Sequence, residues 1–100
     1  MLDLRTIEQV EDLAEKYSSS PDEFIRYGST LALQEKKSNL QIERLEMLSR
    51  YEVTTVGELK EKIREGTVPE HPAWEDLIEI RNIETEIRGI DDDIRMLQQA

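Results

Sequence analysis

Leu4, Ile7, Val10, Ala14 and Tyr17 recur at spacings of three and four, with Asp3, Glu8, Glu11, Asp12, Glu15 and Lys16 between them. That period predicts an amphipathic helix from about Asp3 to Tyr17, broken by Ser18, Ser19 and Ser20. Ser20 then reads as an N-cap, Pro21 as the first helical residue, and Asp22 and Glu23 as acids facing the positive helix end. The second helix is expected to run from Pro21 to about Arg50. It carries Phe24, Ile25, Leu31 and Leu33, then Leu40, Ile42, Leu45, Met47 and Leu48. Between these groups, Gln34 to Asn39 holds no apolar residue. We read this stretch as a thin waist in one long helix, whose halves pack on different neighbours. Thr55 and Glu58 have capping-box spacing and open a short third helix with Val56, Leu59 and Ile63 on one face. Gly66 ends it, and Pro69 reinforces the stop. A fourth helix starts at Pro72 with Glu75 and Asp76 in its first turn.

That last helix carries the most regular pattern in the chain, with Ile80, Ile83, Ile87, Ile90, Ile94 and Leu97 alternating between three and four residues apart. With Ile80, Ile87 and Ile94 taken as position a, the flanking e and g positions are Glu79, Glu84, Glu86, Asp91, Asp93 and Gln98. Two parallel copies would set acid against acid along this edge, at some tenths of a kcal/mol per pair. Antiparallel pairing with the second helix avoids the repulsion, because Lys36, Lys37, Arg44 and Arg50 lie on its far half. Ile83, Ile87 and Ile90 are therefore expected to be buried, in a core closed either within the chain or between two chains.

The expected fold class is all-α: four helices, two of them long, antiparallel and paired as a coiled-coil-like hairpin. One helical domain spans residues 1–100, with an N-terminal helix pair at 1–33 and the hairpin with its short connecting helix at 34–100. A chain of this size has a modest core, so a thin monomer with apolar surface left over suggests a homodimer. Thirteen basic against 23 acidic residues leave a net charge of −10. This charge disfavours nucleic acid and anionic membranes as partners and favours a protein with a basic surface, though acidity also serves plain solubility. There is no cysteine for a disulfide or a thiolate metal site. No apolar run reaches the length of a membrane span and no signal-peptide pattern opens the sequence, so the expected location is cytoplasmic.

Candidate chemistry is sparse. Carboxylates three or four apart (Glu8/Glu11, Glu43/Glu46, Glu75-Asp76/Glu79) share helix faces and could hold Mg²⁺ only if another helix supplied more of them. Glu75-Asp76-Leu77-Ile78-Glu79 resembles the first metal motif of all-helical nucleotide pyrophosphatases. The Glu-x-x-Asp motif that should follow is missing, since Gly89 stands three residues after Glu86. His71, the only histidine, precedes a proline at a helix start and reads as a turn residue. No catalytic, cofactor or metal-binding residue is therefore assigned. Trp74 lies where a turn enters a helix; its ring either plugs the core or anchors a partner. Trp74, Glu75, Asp76 and Glu79 are the candidate partner-binding residues.

Two resemblances bear on function. Val10-Glu11-Asp12-Leu13-Ala14-Glu15-Lys16-Tyr17 followed by Ser20-Pro21-Asp22-Glu23-Phe24-Ile25-Arg26 resembles the helix pair of ribbon-helix-helix proteins. The likeness implies a DNA-binding transcriptional regulator, but the strand that enters the groove is absent here and residues 1–33 carry a net charge of −4. Tyr51-Glu52-Val53, Thr55-Val56-Gly57-Glu58-Leu59, Gly66, and Ala73-Trp74-Glu75-Asp76-Leu77-Ile78 resemble small helical antitoxin-like proteins of archaea and bacteria. That likeness implies a non-enzymatic module that binds and masks a basic protein. The interaction module is the leading expectation, the DNA-binding regulator the alternative, and a metal-dependent hydrolase the third.

Overall fold

The computed structural model describes residues 3–17 and 19–99; Ser18, which the sequence reading puts in the break after the first helix, lies outside them. Four helices follow in order: α1 (Leu4–Lys16), α2 (Pro21–Ser49), α3 (Val56–Glu65) and α4 (Glu70–Gln98). Side chains close the N-termini of the first three. Asp3 accepts from the Thr6 N–H at 2.8 Å, Ser20 from Glu23 at 3.1 Å and Thr55 from Glu58 at 3.1 Å. Each bond satisfies one of the N–H groups that a helix start leaves unpaired. The capping box at α3 is shifted: the Glu58 carboxylate reaches past Thr55 to accept from the Thr54 hydroxyl at 2.9 Å and the Thr54 N–H at 3.3 Å. Gly66 ends α3 in the left-handed region at φ 74°, where its missing Cβ removes the steric cost. At α4, a turn from Glu70 precedes the expected start at Pro72. His71 between them is extended (φ −110°, ψ 128°), as the ring of a following proline demands.

The long helices α2 and α4 form an antiparallel hairpin, the most extensive packing in the molecule. Lys37 meets Asp91 at 2.6 Å, and seven residues further along α2, Arg44 meets Glu84 at 2.7 Å, seven residues back along α4. Lys36 approaches Glu86 at 4.0 Å. The acidic edge of α4 is thus met by the basic half of α2, as the charge pattern requires. Arg50, at the C-cap of α2, makes no ion pair among the described residues. Each bridge is at least partly in water and adds on the order of 1 kcal/mol or less, so the pairs set register more than stability.

Stability comes from a core gathered at one end of a rod measuring 60 × 24 × 21 Å. There α3 folds over the hairpin. Met47, Leu48, Val53, Leu59, Ile63, Ala73, Leu77, Ile80 and Ile83 form one buried cluster, with Leu40, Tyr51, Val56, Val68 and Ile87 packed against it. Two expectations are corrected here. Ile87 is only half-buried, whereas Ile83 and Ile90 on either side of it in the seam are buried as expected. Trp74 is not a core plug: its side chain stays 36% exposed, and the neighbouring Ala73 takes the inward position. The other end of the rod is thin. Of the stripe on α1 only Ala14 is buried; Leu4 and Tyr17 are 71% and 65% exposed.

Candidate interaction surface

The four residues singled out by sequence do not converge. Trp74 and Ile78, four apart, form a small exposed apolar patch on the outer face of α4. Glu75 and Glu79 lie beside it and are exposed. Glu75 is held below the usual carboxylate range, first by its own backbone N–H and then by His71, whose Nδ1 is 2.6 Å from Oε1. Asp76 belongs to a different flank, half-buried and accepting a hydrogen bond from the Tyr51 hydroxyl. With Asp76 turned to Tyr51 and Glu75 to His71, the motif resembling a pyrophosphatase metal site is not assembled. Among the described residues, no three His, Asp or Glu side chains are grouped to hold a metal ion. Ile78 was missed by the sequence reading because it lies outside the isoleucine seam.

The Tyr51–Asp76 contact ties the end of α2 to the start of α4, and Lys62 of α3 joins by donating to the Tyr51 carbonyl at 2.8 Å. Burial, then the Asp76 carboxylate, push the Tyr51 phenol up from 10.0 to about 12. A phenol with a raised folded pKa contributes stability that is intact below pH 10 and lost as pH climbs through 12. Melting temperature measured from pH 9 to 12 should therefore fall more steeply for the parent than for Tyr51→Phe. Parallel profiles would mean that the tie contributes nothing.

A larger apolar surface lies at the thin end of the rod, where α1, the start of α2 and the end of α4 approach one another without closing. Ile7, Val10, Glu11, Pro21, Asp22 and Ile25 line a groove of about 190 Å³ between α1 and α2. Asp22 and Ile25 also border a second groove of about 400 Å³, whose other walls include Arg26, Ser29, Met96 and Leu97. Ile25 is the ridge between the two, 46% exposed. The opening follows from composition: beside the end of α4, α2 presents Arg26, Ser29 and Thr30 where its far half presents Leu40, Met47 and Leu48. Sequence pattern alone placed Ile7, Val10 and Ile25 on apolar helix faces; period identifies such a face and not what covers it.

Residues 10–100 match the family described as Uncharacterized protein MJ0235 family. The chain belongs to the MJ0235 family. No curated protein and no solved structure matches the chain. The MJ0235 match opens at Val10, inside α1, and runs through α2, α3 and α4, so it takes in the buried core and every groove residue named above except Ile7. No helix among the described residues is long and apolar enough to cross a membrane.

Proposed function

We propose that this protein is a non-enzymatic interaction module, antitoxin-like in mode, that holds a basic protein against the thin end of its rod. The observation that carries this reading is Ile25, an aliphatic ridge left open between two apolar grooves. An apolar ridge flanked by unfilled grooves suits a complementary helix or loop, whose side chains would supply the third layer that α1 and α2 lack. Charge gives the partner its sign. Glu11 and Asp22 edge the grooves, and the whole chain at −10 attracts cations and speeds their encounter. The Trp74–Ile78 patch with Glu75 and Glu79 lies on the outer face of α4, in the well-packed part of the molecule, and offers a second and smaller anchor of the same chemical kind.

The test is co-expression and titration with the product of the adjacent reading frame. The reading requires a salt-sensitive complex, weakened at least about tenfold by Ile25→Arg and unaffected by Asp92→Lys. No complex, or one indifferent to Ile25→Arg, would sink it.

A further inference from the structure

We propose that the outer face of α2 is a self-association seam, on which a second copy of this chain packs antiparallel about a two-fold axis near Lys36. Tyr27, Leu31, Ile42 and Leu45 are each between 46% and 66% exposed. At about 100° per residue they fall within an arc of roughly 60° and extend over about 27 Å of helix. This arc lies nearly half a turn from the face that Leu40, Arg44 and Met47 turn toward α4 and the core. Gln34 and Ser38 fill the same stripe between the two apolar pairs, and both are exposed.

Two features select a second copy over other occupants. The first is charge. The chain is 36% charged, yet Tyr27, Thr30, Leu31, Gln34, Ser38, Gln41, Ile42 and Leu45 make an unbroken uncharged face. Glu35, Lys36, Lys37, Glu43 and Arg44 all fall outside that arc. From Tyr27 to Leu45 the stripe itself carries neither carboxylate nor cation, and Glu23 and Arg26, which line the groove at its end, are of opposite sign. An uncharged contact spares two molecules at −10 from setting like charges against one another. The second feature is symmetry. Reversed about Lys36, the stripe superposes on itself to within a residue: Tyr27 lies opposite Leu45 of the second copy, Leu31 opposite Ile42, and Gln34 opposite Ser38. An isologous contact needs this self-complementarity, and a polar pair at its centre pins the register as a buried Asn does between paired helices. A groove of about 420 Å³ beside Tyr27 and Leu31 is open to receive Leu45 of the second copy.

The groove beside this seam shares only Arg26 with those around Ile25, and Ile42 lies about 25 Å from Ile25 along α2, so the failure of this proposal and that of the partner-binding reading are distinguishable. The chain has no cysteine, which makes single-site spin labelling direct. Sedimentation across the micromolar range should give a monomer–dimer equilibrium whose Kd rises at least about tenfold in Ile42→Glu, with no change in helicity. A label on Asn39→Cys, exposed beside the stripe near the axis, should report a short distance between copies, and one on Ser49→Cys a separation of about 40 Å. Short distances at both sites would mean parallel pairing, and long distances at both would mean another surface; either overturns the proposal. So does a parent that stays monomeric throughout, or a dimer that Ile42→Glu leaves intact.

Discussion

Ile80→Asp unfolds the protein, whereas Ile80→Ala lowers its stability by about 3 kcal/mol. Ile80 is completely buried within the cluster that joins α2, α3 and α4. The aspartate variant removes a large aliphatic group and puts an unpaired carboxylate where no described side chain can hydrogen-bond to it. Those two costs together reach several kcal/mol, comparable to the whole stability of about 5–15 kcal/mol available to a domain. Ile87→Ala should cost about half as much as Ile80→Ala, because Ile87 already touches solvent. Asp92→Lys loses only an exposed contact to Arg95 at 2.6 Å and should stay within about half a kcal/mol. Urea unfolding followed by circular dichroism ranks the four variants. An Ile80→Asp protein that melts like the parent would place the core elsewhere.

Hydrogen exchange on the free protein should reveal a steep gradient along the rod. Amides of Leu77 to Ile83 should open only with global unfolding, while those of α1 exchange on the order of 100- to 1,000-fold faster. A 13-residue helix is marginal alone, and α1 gains little from its neighbour, since Ala14 is its one buried residue. Protection rising in α1 on addition of the basic partner would mark the thin end as the occupied surface. Uniform protection from α1 to α4 without any partner would contradict the uneven core described above.

The helices, most of their ends and the pairing of the two long ones were legible in the sequence. Those features depend on residues a turn or less apart: Ser20 caps with Glu23, Thr55 with Glu58, and Gly66 alone tolerates φ 74° at the end of α3. Partner choice within the chain was equally legible, because Lys37 and Arg44 repeat every seven residues as Asp91 and Glu84 do, and only an antiparallel hairpin brings both pairs together. Tertiary structure alone decided how deeply each apolar residue is buried. Ile80 and Ile87 are equivalent in the seam, yet Ile80 is completely buried and Ile87, between buried Ile83 and Ile90, only half. Trp74 and Ala73 are neighbours, yet the direction in which α4 leaves the turn at His71 sends the small residue inward. The Tyr51–Asp76 tie and the ridge at Ile25 were likewise invisible beforehand, since each depends on how separate helices sit against one another. Periodicity fixes which side chains share a face; only the position of the next helix fixes whether that face is closed.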